Sequence, residues 1–175
     1  MLRTGQALLL PAKASFIWAS LLVALLLNML MHMLLDGQSP WAPDLLAITL
    51  VFWTVHQPRR VGILAAFMLG LLLDVHQGSL LGQHALAYAV LSYLAILIHR
   101  RLLWFKLSEQ SLQVLPLFVA AHALQLLVRW VAGDGWPGWS IVAAPFLEAL
   151  VWPIATYMLL LPQRRAHDPD ENRPI

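Results

Sequence analysis

His32, Asp74, His76 and His84 could lie at one depth of an apolar protein and present imidazole and carboxylate groups to a divalent ion. Both group types suit several such ions. Asp74 and His76 form a D-x-H pair, and His84 follows ten residues after Asp74. The competing reading places these histidines at helix ends, half wet, with no ligand; it is preferred, because such sets arise readily by chance. No metal and no cofactor is predicted. Glu148 is less ordinary. It lies eight residues into an apolar run, roughly 12 Å at 1.5 Å per residue. A carboxylate at that depth of a membrane must face protein or water, or shed its charge. Its expected partner is Arg129 or a polar group of the third and fourth helices. A proton relay would need several such groups in series, so a buried structural pair is preferred. Asn28, His122 and Gln125 suit hydrogen bonds between helices, about 0.6–2 kcal/mol each. Hydrolytic chemistry lacks a frame. Ser92 and Ser111 have no G-x-S-x-G context, H-E-x-x-H is absent, and there is no cysteine.

What must position these groups is a membrane bundle. Of the 175 residues 60% are hydrophobic and 11% charged, against about 25% charged in a soluble domain; the mean hydropathy is +0.71. Such a chain cannot cover itself with polar surface. The net charge of +2 comes from arginines scattered in short pairs, which fit membrane topology and not a nucleic-acid surface.

The hydropathy pattern predicts an all-α integral membrane protein. Its single domain, residues 1–162, holds six helices at about 14–35, 41–56, 61–75, 80–98, 111–132 and 140–161, and 163–175 are expected to form a polar, disordered cytoplasmic tail. Arg3 and Lys13 before the first helix raise the alternative of a signal peptide, but the run is too long and no small-x-small cleavage site follows. The second and third helices are short. As a re-entrant hairpin they would bury Arg59 and Arg60 in mid-membrane, about 2.5–3.5 kcal/mol per arginine; two short, tilted spans cost less.

With the N-terminus inside, Arg3, Lys13, Arg59, Arg60, Arg100, Arg101, Lys106, Arg164, Arg165 and Arg173 all fall on the cytoplasmic side, leaving Arg129 alone outside. Asp36, Asp44, Asp74 and Asp134 fall outside. The positive-inside rule therefore predicts both termini in the cytoplasm. Trp18, Trp41, Trp53, Trp104, Trp130, Trp136 and Trp139 lie near predicted helix ends, where an indole can be half wet.

The stretch GLLLDVHQGSLLGQHAL, residues 70–86, reads as a tight corner between the third and fourth helices. Gly78-x-x-x-Gly82 is expected to open the fourth helix with a small-residue face that permits close backbone approach. Asp74 ends the third helix, where the macrodipole disfavours an anion. The N–H groups opening the fourth helix, a cation such as Arg129, or a partner protein must offset this. The expected result is a carboxylate fixed at the outer surface.

Residues 43–94 carry a set of features that resembles the rod-shape-determining protein MreD family. They are Pro43 opening the second helix, Phe52 and Trp53 near its end, Pro58 and Arg59 in the next loop, G-L-L-L-D at 70–74, G-S-L-L-G at 78–82, and Tyr93. Trp152-Pro153 in the last helix and the chain length also look similar. Asp44 fits the pattern less well. The resemblance implies a non-enzymatic scaffold of the bacterial cell-elongation machinery in the cytoplasmic membrane. It implies binding to the bitopic protein MreC, linking the MreB filament indirectly to RodA and its class B penicillin-binding protein, and regulating lateral peptidoglycan synthesis and cell shape. Pro43, Asp44, Trp53, Pro58, Arg59, Gly70, Asp74, Gly78 and Gly82 are the candidate partner-binding or structural positions, with Glu148 and Arg129 as buried polar groups. A six-helix bundle is also similar to the S-components of energy-coupling-factor transporters. In that alternative Asp36, Asp44, Asp74, His76, His84 and Glu148 would line an outward pocket, although the outer loops DGQSPWAP, DVHQGS and GDGWPG are short for closing over a ligand.

Overall fold

The computed structural model describes residues 12–35, 41–136 and 138–163. Within them run α1 (Ala14–Leu34), α2 (Leu45–His56), α3 (Ile63–Gln77), α4 (Gln83–Leu102), α5 (Leu107–Val131) and α6 (Ala143–Leu160), the last flanked by 3-10 turns at Trp139–Val142 and Leu161–Gln163. Four of these, α1, α4, α5 and α6 with its flanking turns, are long and apolar enough to cross a membrane. The 12 residues of α2 and 15 of α3 reach roughly 18 and 22 Å, short of a ~30 Å hydrocarbon core.

The position of α2 explains how so short an apolar helix is kept. Its sequence LLAITLVFWTVH has no polar face, as in a helix surrounded by either protein or lipid, and the packing decides for protein. Every residue from Leu46 to Val55 is buried, with α1, α4 and α6 packed around it. Trp53, placed by its sequence position among half-wet tryptophans, is instead fully buried; its Nε1 donates to Ser20 Oγ of α1 at 2.7 Å. By contrast α1 turns Leu22, Val23, Leu26, Leu27 and Leu30 outward. The bundle thus inverts the soluble pattern, with an apolar exterior and polar groups gathered inside.

Local chemistry moves several helix limits. α2 opens at Leu45, because Asp44 is an extended N-cap whose side chain accepts the Ala47 N–H at 2.9 Å; Pro43 precedes the cap. α3 runs past Asp74 to Gln77 and stops at Gly78, which is left-handed with φ 62°. α4 opens at Gln83, after Gly82 at φ 100°. α5 opens at Leu107, four residues earlier than its hydropathy suggests, because the Glu109 side chain accepts the Lys106 N–H at 3.3 Å. The last turn continues through Gln163, whose Nε2 donates to the Leu159 carbonyl at 2.9 Å. The rest of the predicted tail lies outside the described residues, as do Arg3, Asp36, Arg164, Arg165 and Arg173.

At one end of the bundle sit Lys13, Arg59, Arg60, Arg100, Arg101 and Lys106, in or beside the start of α1 and the α2–α3 and α4–α5 connections. Arg59 is exposed and Pro58 half-buried. Arg60 donates to the Ala12 carbonyl at 2.8 Å, tying the α2–α3 turn to the start of α1. Arg129 lies near the C-terminal end of α5, at the opposite end.

Candidate functional site: a polar cavity at the end remote from the basic loops

The corner between α3 and α4 is built on a backbone contact. A Cβ on Gly70 would stand 2.5 Å from Ala85 Cα and 2.6 Å from its nitrogen, so only glycine lets α4 lie this close. The same operation at Gly78 and Gly82 meets nothing within 4 Å. The expected small-residue face at 78–82 is therefore corrected. Those two glycines supply positive φ for the turn, and the close approach belongs to Gly70.

Asp74 is fully buried and not at the outer surface as expected. Its Oδ1 accepts the His84 N–H at 2.9 Å, His84 Nδ1 at 2.8 Å and Ser79 Oγ at 3.0 Å. Its Oδ2 accepts the N–H groups of Gly82 at 2.9 Å and Ala85 at 3.3 Å. These N–H groups open α4 and have no acceptor within that helix, and Gly82 has no side chain to cap them. Asp74 supplies the missing cap from another helix. Among the described residues, its place at the end of α3 is offset by the free N–H groups of α4 and by His84 Nδ1, and not by Arg129.

A second cap of this kind lies at the start of α2. Asn28 of α1 donates to Asp44 Oδ1 at 2.5 Å, and its Oδ1 accepts the Leu45 N–H at 2.9 Å. Glu148 of α6 accepts the Asp44 N–H at 3.1 Å and His122 Nε2 at 2.8 Å, both on Oε1. The buried hydroxyl of Tyr88 donates to Asp44 Oδ2. Glu148 is fully buried. Its partners are thus His122 and the α2 backbone, and not Arg129, whose nearest acid is Asp134 at 3.8 Å. The same physics governs both places. The first N–H groups of α2 and α4 open inside the bundle, so they take acceptors from neighbouring helices.

Beside these caps lies a cavity of about 470 Å³, lined by Asn28, Asp44, Gln83, His84, His122, Gln125 and Arg129 together with the ends of α1 and α3 and Ile141 of the turn before α6. Among the described residues no group of three or more His, Asp or Glu could hold a metal ion. His84 is spent on Asp74, and His76 is exposed with its ring 6.2 Å from that of His32. Of the positions singled out by sequence, the structure brings Asp44, Glu148, His122 and Asn28 into one network. Asp74 lies at the same end, and Arg129 is on the cavity wall. Trp53, Pro58 and Arg59 stand apart. Tyr88 and Gln83 were not legible as polar wall or network members. The only signal for Tyr88 was its spacing four residues after His84, whose ring it meets at 6.0 Å.

Comparisons with known proteins agree with this architecture. A family model described as rod shape-determining protein MreD matches residues 12–162. The rod shape-determining protein MreD of Haemophilus influenzae is 34% identical over 115 residues, which is 63% of this chain and 68% of the relative. No solved structure matches the chain, so the likeness to S-components gains no support. A match over nearly all of the helical domain, with a relative above 30% identity, establishes that the chain belongs to the MreD family of rod shape-determining membrane proteins.

Proposed function

We propose that this protein is a non-enzymatic scaffold of the rod-elongation complex, a single multi-pass domain of the bacterial cytoplasmic membrane. It crosses six times, α2 and α3 included, with both termini in the cytoplasm. Its direct partner is the single membrane helix of an MreC-like protein, and through it the RodA–penicillin-binding protein pair and, indirectly, MreB. The observation that carries this reading is the inverted bundle. The connections are short, and the residues turned outward on α1 and α3, such as Leu26, Leu30, Leu64, Met68 and Leu72, are apolar, so helix faces within the bilayer are the main surface left for a partner. The basic loops at one end fit a cytoplasmic placement of that end. Affinity purification from host membranes in mild detergent, followed by mass spectrometry, tests it. Recovery of an MreC-like protein with RodA and a penicillin-binding protein is expected. Recovery of a transmembrane coupling subunit with paired ATPases would overturn it.

A further inference from the structure

The network of Asp44, Asp74, Glu148 and their partners explains the caps but leaves one side of the cavity unused. His122, Gln125 and Arg129 stand at positions i, i+3 and i+7 of α5, which is one face of a helix, and all three line the cavity. Arg129 makes no side-chain hydrogen bond among the described residues; its buried Nε has no hydrogen-bond acceptor, and its ion pair, with half-exposed Asp134, is long at 3.8 Å. Gln125 is 7% exposed and Gln83, across the cavity on α4, is 6% exposed. Neither side-chain amide has a hydrogen-bond partner among the described residues, yet both reach the cavity. Buried polar groups are ordinarily paired. Arg129 and Gln125 on α5, and Gln83 facing them across the half-open cavity, thus keep side-chain donors and acceptors for something else. The volume is within the ~300–1,000 Å³ of ligand sites.

The charges restrict what fits. Asp44 and Asp134 also line the cavity, and Asp74 and Glu148 stand one hydrogen bond behind it. A doubly charged anion would meet these acids with only Arg129 to balance it. A single carboxylate matches the planar fork of one arginine. Each glutamine offers a donor and an acceptor, the complement of a peptide group. From this geometry we propose that the cavity binds one carboxylate flanked by amides, an acidic peptide-like ligand, with Arg129 holding the carboxylate and Gln83 and Gln125 holding the adjoining amides. That chemistry has two sources, a free short peptide or an acidic segment of a partner protein.

The probe is N-acetylglycylglycine, with its C-terminal amide as the uncharged control, added to the purified protein while thermal unfolding is followed. The acid raises the unfolding midpoint and the amide does not. Arg129→Gln weakens the response about tenfold or more, the effect of losing a charge-assisted pair, and Arg129→Lys restores part of it. Equal responses to acid and amide, an unchanged response in Arg129→Gln, or no response to the acid would overturn the proposal. Because the chain has no cysteine, Met31→Cys on the cavity wall gives a unique label site that separates the sources. Slower reaction with a polar maleimide in the complex than in the protein alone, reversed by Arg129→Gln, assigns the carboxylate to a partner segment. Equal reaction in both, slowed by the added acid, assigns it to a free peptide. Reaction unaffected by either partners or acid overturns the site. None of these readouts requires the partner to be MreC-like, so failure here is distinct from failure of the scaffold reading.

Discussion

Asp74 and His84 are joined twice, through the His84 backbone N–H at 2.9 Å and through its Nδ1 at 2.8 Å, both to Oδ1 of the same carboxylate. One side chain near the end of α3 thereby caps α4 and fixes the ring that lines the cavity. The dipole that disfavours an anion at the end of α3 is offset by the positive end of α4 lying against it. This joint sets the geometry of the whole corner.

Replacing Asp74 therefore acts on α4 before it acts on anything else. Asp74→Leu leaves the N–H groups of Gly82, His84 and Ala85 without their acceptor, each unsatisfied group costing about 1–3 kcal/mol. Asp74→Asn keeps one acceptor oxygen and loses less. Hydrogen exchange at Gly82–Ala85 should rise steeply in the leucine variant and modestly in the asparagine one. Equal protection in the two variants would show that the cap is not what holds the corner.

Gly70→Leu drives a side chain into the backbone of Ala85 and should cost more than the ~1–3 kcal/mol of ordinary overpacking. Gly78→Leu points into open space and carries only the left-handed strain of about 1–2 kcal/mol. Denaturant unfolding in detergent should rank them in that order. The reverse order would move the close contact from Gly70 to the turn.

Glu148→Leu removes the acceptor of both His122 Nε2 and the Asp44 N–H, and breaking a buried pair of this kind costs about 3–5 kcal/mol. His122→Leu alone is expected to fall in the same range. The double variant should cost clearly less than the sum, since the two side chains are in contact. Strict additivity in a double-mutant cycle would mean that the 2.8 Å contact contributes nothing.

Tyr88→Phe removes one donor from Asp44 while Asn28 and Ala47 still supply theirs. The expected loss is about 1–2 kcal/mol, with the helix content by circular dichroism unchanged. A loss of helix content would assign Tyr88 a larger part in holding α2 than its single hydrogen bond explains.

The pattern of residues alone determined the class of protein, the number and approximate places of the helices among the described residues, and the gathering of their basic side chains, Arg129 excepted, at one end. These follow from local composition, because long apolar runs in a chain this poor in charge satisfy their backbone as helices, buried or lipid-facing. The shortness of α2 and α3 was also legible. What α2 is for was not: LLAITLVFWTVH reads the same whether it faces lipid or protein, and only packing against α1, α4 and α6 makes it the centre of the bundle. The same limit applies to the polar groups. Asp74 near the end of α3, Glu148 within α6 and Arg129 near the end of α5 each announce an exception to an apolar pattern, but partners are chosen by three-dimensional proximity. Tertiary structure alone decided that Glu148 pairs with His122, 26 residues before it, and caps Asp44, 104 residues before it. It also decided that Arg129, the cation expected to satisfy Glu148, stands on a cavity wall without a hydrogen-bond acceptor. Helices form from neighbours in sequence, whereas an acceptor for an orphaned N–H can come from any helix that packing brings within 3 Å or so.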